Sequence, residues 1–255
     1  MKIVVCCKAV PGAVTDVEVA PGGKALQFQS QFQAMNECDE YALEEACALK
    51  RAYGGEITAL AMGPITTQDI LYLALAKGAD QALRIDVRVQ DPQVASTVLA
   101  AALGKMEFDL VLTGTQSRDT LASFVGVAAA ARLGLPFAFA VTEVEKDGEQ
   151  SIKVRKELGG GRFADIRLGL PALLCVQTGI QPLNFVPPGR MLRARAQPIR
   201  SLSLTELGLT EEEIVPRGYR YQSVSPPERI GRVRFLEGAT PEIAAALLAR
   251  IRAAL

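Results

Sequence analysis

Polar side chains crowd a short segment that follows the apolar run FDLVL. The segment reads GTQSRDTLASFVG, from Gly114 to Gly126, and after its first glycine it carries Thr, Gln, Ser, Arg and Asp in succession. Glycine lets a backbone approach a ligand, and a helix that follows a strand points free N–H groups at an anion. The segment therefore predicts a nucleotide or other anion site. The alternative is an ordinary strand-to-helix loop, which is commonly rich in glycine and polar residues.

The sequence lacks the groups on which many enzymatic nucleophiles depend. It contains no histidine, which excludes Ser-His-Asp and Cys-His schemes. Its five cysteines, none in a C-x-x-C arrangement, make a metal site improbable. Neither the dinucleotide fingerprint G-x-G-x-x-G nor a P-loop is present. Any chemistry is therefore expected to belong to a cofactor.

Composition bounds the size and the partners of the protein. The chain has 255 residues, 49% of them hydrophobic, which is enough for one large domain or for a domain with an appendage. Its 28 basic and 28 acidic residues cancel, so no overall field favours nucleic acid or a membrane surface. The N-terminal run MKIVVCCKAV is too short for a signal peptide, and no apolar span is long enough for a membrane helix. We expect a cytoplasmic protein, or a matrix protein if it comes from an organelle.

Strand-like and helix-like segments alternate around the polar segment and must position it. Buried strands are predicted at Lys2–Cys7, Glu56–Met62, Gln81–Ile85 and Leu110–Thr113. The helix starts between them are two capping boxes, Asn36 with Asp39 and Thr66 with Asp69, and an N-cap followed by proline, Asp91 with Pro92. A hairpin is predicted at Val14–Phe28, around PGGK. Strands alternating with helices predict a parallel sheet that is covered on both faces.

The pattern changes after Pro136. Antiparallel strands are predicted at Phe139–Lys146, Ser151–Leu158 and Phe163–Leu168, followed by a last core strand at Ala172–Gln177. From Thr178 to about Phe235 the periodicity is weak, which indicates an arm, and Thr240 with Pro241 begins a terminal helix. We therefore predict an α/β fold, mostly a parallel sheet with helices on both faces, with an antiparallel extension and a C-terminal arm. Its domains are residues 1–177, which bind a nucleotide, and residues 178–255.

Three loops are expected to meet at one edge of this sheet. Cys7–Gly12 follows the first strand, Met62–Pro64 follows the second, and Gly114–Ser123 follows the fourth. Because ligands of open parallel sheets bind outside the carboxyl ends of the strands, these loops predict a single cleft.

Several motifs together resemble the beta subunit of electron-transfer flavoproteins. They run in order along nearly the whole chain: VVCCKAVP, AMNECDEYALEEACALK, ITALAMGP, ALAKGAD, DLVLTGTQSRD, VRKELGGG and LPALLCVQTGIQP. The resemblance implies an adenine-nucleotide-hydrolase-like fold and a heterodimer whose alpha subunit makes most of the contacts to a redox-active FAD. It also implies a carrier without bond chemistry of its own, which passes electrons from dehydrogenases to a quinone-reducing or similar acceptor. This subunit is expected to hold AMP or, in bifurcating relatives, a second FAD.

Carried over residue by residue, the resemblance implies a cofactor site built from three loops and one helix start. Its members are Cys6, Lys8, Ala9, Asn36, Glu37, Cys38, Asp39, Met62, Gly63, Gly114, Thr115, Gln116, Ser117, Arg118, Asp119, Thr120, Ser123, Phe124 and Val125. Asn36 also fits a plain N-cap, and the two roles are compatible. Cys6 fits a core strand residue as well as a ligand contact through its backbone.

The second half of the Gly114 loop departs from both known patterns. Many AMP-binding relatives carry several polar residues there, whereas this chain keeps only the hydroxyls of Thr120 and Ser123. The D-G-D-T-A-Q-V-G run of bifurcating relatives is matched only in part. We expect AMP, because backbone N–H groups at a helix start bind anions without side-chain donors. The alternatives are a second FAD in this subunit and a stand-alone adenine-nucleotide-binding protein. A stand-alone protein of that kind would need a phosphate motif such as SGG-x-D, which this chain lacks.

The resemblance also implies a partner-binding region. The arm Gly179–Arg200 corresponds to the part that clasps the alpha subunit and presents a loop to dehydrogenases. The partner-binding residues are expected to be Glu157, Arg190, Met191, Leu192, Arg193 and Arg195. The apolar pair Met191 and Leu192 is suited to anchoring in a pocket of the partner, and the arginines around it are suited to steering this loop toward an acidic rim. The alternatives are a solvated loop and, for Glu157, an ordinary strand charge.

Overall fold

A computed structural model of the chain describes residues 1–12, 19, 21–23, 33–89, 91–215, 222–225, 231 and 235–254. Its strands are β1 (Lys2–Cys7), β2 (Ala9–Pro11), β3 (Gln33–Met35), β4 (Glu56–Met62), β5 (Gln81–Ile85), β6 (Leu110–Gly114), β7 (Phe137–Lys146), β8 (Ser151–Gly159), β9 (Arg162–Gly169), β10 (Ala172–Val176) and β11 (Arg200–Leu202). Its helices are α1 (Glu37–Tyr53), α2 (Gln68–Lys77), α3 (Pro92–Leu103), α4 (Val125–Leu133), α5 (Pro188–Arg195), α6 (Leu204–Leu207) and α7 (Thr240–Ala254). Most of the predicted hairpin at Val14–Phe28 lies outside the described residues.

The described residues form a nine-stranded main sheet. Its order is β11-β5-β4-β1-β6-β10-β7-β8-β9, and the first seven strands run parallel. The central strands are almost entirely apolar, since both of their faces are covered. Helices α1 and α2 pack on one face, and α3 and α4 pack on the other. The predicted α/β class is confirmed.

The antiparallel extension is also confirmed. Strand β8 pairs with β7 and with β9, and both pairings are antiparallel. The turn between β7 and β8 has Gly148 at a φ of 79°, a left-handed value that glycine adopts without a steric penalty. On β8, the carboxylate of Glu157 accepts a hydrogen bond at 3.2 Å from Nε2 of Gln177, the residue that follows β10.

The three predicted helix starts have different outcomes. Asp91 caps α3 as predicted, because its carboxylate accepts from the backbone N–H groups of Gln93 and Val94 at 2.7 and 3.4 Å. The capping box at Thr66 is wrong, since a 3-10 turn occupies Ile65–Thr67 and the N-cap of α2 is Thr67. The capping box at Asn36 is wrong as well, because its side chain bonds to a neighbouring loop.

The segment after β10 contributes to the main sheet. Strand β11 pairs in parallel with β5 at the edge of the sheet, and α5 packs on α2 through Ala194, which is 2% exposed. By contrast, the described side chains of α7 are all exposed or half-exposed. The domain boundary after residue 177 stays a prediction.

Among the described residues, no helix combines the length and the apolar character that crossing a membrane requires.

Candidate functional site

A cleft lies at the carboxyl ends of β1, β4 and β6, where the predicted loops meet. Most of the predicted cofactor residues line it: Cys6, Lys8, Asn36, Asp39, Met62, Gly114, Thr115, Gln116, Ser117, Thr120, Ser123, Phe124 and Val125. The structure thus brings together three loops that are far apart in the sequence. Whether these residues hold a ligand stays a prediction.

Asp39 joins two of the loops at the floor of the cleft. One carboxylate oxygen accepts from the backbone N–H of Lys8 at 2.8 Å, and the other accepts from the backbone N–H of Gly114 at 2.9 Å. The residue is only 6% exposed. Burial raises the pKa of Asp39 to about 6, against the opposing hydrogen bonds from Lys8, Asn36 and Gly114. The carboxylate therefore titrates close to neutral pH.

Asn36 fixes the polar loop to the start of α1. Its Nδ2 donates to the carbonyl of Gln116 at 2.8 Å, and its Oδ1 accepts from the backbone N–H of Arg118 at 3.1 Å. The residue is 1% exposed, so both bonds are sheltered from water. A tertiary contact of this kind replaces the local cap that the sequence pattern predicts.

Lys8 supplies a positive charge to the wall of the cleft. Its Nζ donates to Asp119 Oδ1 at 2.7 Å and to Ser117 Oγ at 3.1 Å. The side chain keeps 41% of its surface exposed, so its ammonium group remains accessible to a ligand. The loop thus presents a cation that two of its own side chains hold in position.

The start of α4 forms another wall. Its N-cap is Phe124, whose ring cannot accept a hydrogen bond from the N–H groups of the first turn. Gly126 lets this turn lie against β6 and β10, because a Cβ there would come within 2.6 Å of Thr113 Oγ1 and 2.9 Å of Cys175 Sγ. Ser123 precedes the helix with a left-handed φ of 49°. N–H groups that line a cleft at a helix start are suited to binding an anion.

Sequence reasoning missed the apolar wall of the cleft. This wall is formed by Leu60, Val89, Pro92, Ala95 and Leu99, and other unpredicted lining residues are Cys7, Thr113, Ala122 and Gly126. Two signals could have found part of it. Leu60 shares a strand face with the predicted residue Met62, because side chains alternate along a strand. Helix α3 starts at the same edge of the sheet as α1 and α4, so its first turns border the same cleft.

Six predicted cofactor residues are not among the residues that line the cleft. Cys38 packs against Gly114, and its Sγ accepts from Thr115 Oγ1 at 3.6 Å. Gly63 accepts a hydrogen bond from the buried Arg84 at 2.7 Å, and Asp119 holds Lys8. The remaining three are Ala9, which pairs with Met35 in the small sheet, Glu37 in the first turn of α1, and Arg118, which donates to the carbonyl of Pro11. Several of these residues hold the loops of the cleft in position, and whether any of them contacts a ligand stays a prediction.

The thiols that line the cleft, Cys6 and Cys7, and the thiol of Cys175 behind it are poor nucleophiles. Burial raises the pKa of Cys6 and of Cys7 well above the usual value, and it raises that of Cys175 to about 11. Because the thiolate is the reactive form, these groups stay inert near neutral pH. Within the described ranges, no cluster of three or more Cys, Asp or Glu side chains is arranged to hold a metal ion.

The residues predicted to bind a partner divide into two groups. Arg190 and Arg193 border a second, open cavity of about 570 Å³ between α5 and the ends of α1 and α2, and Leu192 is 74% exposed. Arg195 instead contacts its own chain. Its guanidinium pairs with Asp69 at 3.0 Å and lies 5.8 Å from the ring centre of Tyr72. Met191 packs partly against the core.

Comparisons with known proteins give a consistent result. The model of the electron transfer flavoprotein domain matches residues 26–207. The electron transfer flavoprotein subunit beta of Methylophilus methylotrophus is 29% identical, with 97% of each chain covered. That of Clostridium acetobutylicum is 36% identical over 72% of this chain and 70% of its own. The caffeyl-CoA reductase-Etf complex subunit CarD of Acetobacterium woodii is 28% identical over 99% of this chain and 98% of its own.

Proposed function

Since this chain belongs to the electron transfer flavoprotein family, as a beta subunit, we propose that its cleft holds AMP while an alpha subunit carries the redox-active FAD. The family implies a heterodimer with an alpha subunit. In this assembly the chain is a carrier subunit without bond chemistry of its own, and the heterodimer passes electrons from dehydrogenases to a quinone-reducing or similar acceptor.

The cleft has groups that fit the parts of a mononucleotide. The first-turn N–H groups of α4, the ammonium of Lys8 and the hydroxyl of Ser123 would hold the phosphate. The apolar wall around Leu60 and Leu99 suits a purine ring. The observation that carries the proposal is the start of α4, which borders the cleft after an N-cap residue that cannot satisfy its N–H groups. A bound AMP would supply no redox chemistry, which comes from FAD when that is bound.

A second FAD in the same cleft is the other candidate. It is favoured by the similarity to a subunit of the caffeyl-CoA reductase-Etf complex, which extends over nearly the whole of both chains. Large apolar side chains near the cleft also fit a larger ligand, since Leu121 is 62% exposed and Phe124 is 40% exposed. AMP remains the better fit because the loop keeps few side-chain donors for a pyrophosphate.

The nucleotide content of the heterodimer tests this function. We expect the chain, co-expressed with its alpha subunit, to release one FAD and one AMP per dimer on acid treatment followed by chromatography. Two FAD per dimer would support the second candidate. One FAD without any other adenine compound would mean that the cleft is only a junction between strands and helices.

Arg193 and Arg195 are expected to act differently on partner association. Arg193 faces open solvent at the cavity rim, so Arg193→Ala should slow association with an acidic electron-transfer partner by roughly tenfold at low salt, through loss of steering. Arg195→Ala should also loosen α5, because it removes the contacts to Asp69 and Tyr72. This exposed pair is expected to contribute less than about 1 kcal/mol to folding.

Stopped-flow electron transfer at several salt concentrations measures the first effect, and thermal unfolding measures the second. Arg162→Ala, at an exposed position of β9, is the matched control. Equal rates for the control and for Arg193→Ala at low salt would contradict the predicted docking role.

A further inference from the structure

An acid lies at the floor of a cleft that is otherwise suited to an anion. Asp39 is the only acidic residue among the described residues that line it. A buried carboxylate near a phosphate site costs free energy through desolvation and through like-charge repulsion. Its position therefore indicates that the carboxylate itself performs a task there.

The task is visible in the two hydrogen bonds that Asp39 accepts from backbone N–H groups. The two oxygens accept from backbone groups of different loops, Lys8 after β1 and Gly114 at the end of β6. Two acceptors facing two N–H donors require a carboxylate, because an amide would turn its NH₂ group toward one of them. The contact at Gly114 is close enough that a Cβ at that position would come within 2.5 Å of Asp39 Oδ1.

We propose that Asp39 is the positioning residue of the nucleotide site: its ionised carboxylate holds the loops after β1 and β6 at the spacing that the ligand needs, and protonation releases the ligand. The inference rests on the proposed function, since it assumes that a nucleotide occupies the cleft. Protonation converts one acceptor oxygen into an O–H donor, which then faces a backbone N–H. One of the two loops loses its hydrogen bond to Asp39 as a result, although the contacts to Asn36 remain.

The charged groups around Asp39 have opposing effects on the pKa of its carboxyl. The ammonium of Lys8 stabilises the charged form, while Asp119 partly neutralises that ammonium. On the strands, the thiols of Cys6, Cys7 and Cys175 stay neutral, and on its own helix Glu40 adds a negative charge in the first turn. With burial dominant, the pKa of Asp39 lies at about 6.

Protonation of Asp39 does not itself unfold the chain. The folded chain takes up the Asp39 proton near pH 6, whereas the unfolded chain does so only near its ordinary pKa of 3.8. Between these values the folded state binds more protons, so through Asp39 the stability of the fold rises as the pH falls. Acidification to pH 5 therefore loosens the loops without a loss of global stability from this group.

Equilibrium titration of the nucleotide-depleted heterodimer with AMP, at pH 7.5 and pH 5.0, tests the proposal. We expect the wild-type affinity to fall by about tenfold between these values, one decade per pH unit below a pKa near 6. Asp39→Asn should bind at least about tenfold more weakly at pH 7.5, since it lacks one acceptor. The variant should also lose the extra pH dependence. The AMP phosphate itself titrates near pH 6, so the slope of the variant provides the baseline.

The outcomes separate this inference from the function on which it rests. Glu149→Gln, in the exposed turn between β7 and β8, is the matched control and should keep the wild-type affinity and slope. Circular dichroism at both pH values monitors the fold. If Asp39→Asn keeps the wild-type affinity, or the same pH slope, the positioning role is wrong although the site exists. A heterodimer that binds no AMP or FAD at either pH overturns the proposed function as well.

Discussion

Replacement of Lys77 by methionine is expected to lower the free energy of unfolding by about 3 kcal/mol, the typical cost of removing one partner of a buried ion pair. The Lys77 side chain is 3% exposed, and its Nζ lies 2.6 Å from Glu44 Oε1 and 2.8 Å from Glu40 Oε1. Glu44 is also buried, and without Lys77 its charge keeps, among the described residues, the hydrogen bonds from Asn184. Urea denaturation of the chain in its heterodimer measures the change.

Two controls separate this effect from a loss of packing. The double variant Lys77→Met with Glu44→Gln should recover much of the loss, because it removes both buried charges together and the side-chain amide of Asn184 can turn its oxygen toward the new NH₂ group. Lys2→Met removes the exposed ion pair with Glu107 and should leave the denaturation midpoint almost unchanged. A single variant at Lys77 that unfolds at the wild-type urea concentration would contradict the assignment.

The same ion pair ties the segment after β10 to the body of the protein. Asn184 donates through its backbone N–H and its Nδ2 to the two oxygens of Glu44, at 3.0 and 2.7 Å, and Gln181 donates to Glu45 at 2.8 Å. Burial opposes ionisation of Glu44, but the bonds from Lys77 and Asn184 hold its pKa below the usual value. The beginning of the predicted arm is thus fixed in place by polar contacts with α1, and α5 follows directly from it.

The fold was predictable because local signals and tertiary structure agree in the core. Continuous apolar runs such as Leu110–Leu112 favour burial on both faces, which a parallel sheet covered by helices provides. Asp91 caps α3 because its acceptor and the following proline act within one turn. Strand β11 was missed, since three residues that pair only at an edge leave no periodicity in the sequence.

The residues of the site were predictable where they follow directly after a strand, and less so where their position depends on contacts between distant parts of the sequence. The sequence pattern predicts Asn36 as a cap because its residue type and position fit one, yet its two partners in the Gly114 loop lie 80 and 82 residues away. The double role of Asp39 depends on two loops meeting in space, which no local pattern encodes. The apolar wall was missed because Leu60 and Leu99 look like ordinary core residues until the cleft is seen.

Gly114→Val is expected to abolish nucleotide binding and to destabilise the chain by at least about 2 kcal/mol, from overpacking and one lost hydrogen bond. A Cβ at this position would come within 2.5 Å of Asp39 Oδ1 and of Cys38 Cβ, and within 2.9 Å of the Asp39 nitrogen. Because these atoms belong to the start of α1, the added side chain meets the protein before it meets a ligand. The end of β6 must move away from α1, and the bond between Gly114 N–H and Asp39 breaks.

The prediction is checked by nucleotide content and urea denaturation of the heterodimer, with Gly169→Val as the matched control. A Cβ at Gly169 would meet no atom within 4 Å, and its backbone is not left-handed, so the control should keep both stability and nucleotide. Gly114→Ala should give an intermediate loss, since it introduces the same clash with a smaller side chain. Unchanged stability of Gly114→Val with its nucleotide lost would mean that the side chain blocks the ligand directly. Unchanged nucleotide content would mean that the end of β6 does not shape the cleft, because the loop that carries Gln116 and Ser123 would then keep its position without the Asp39 contact.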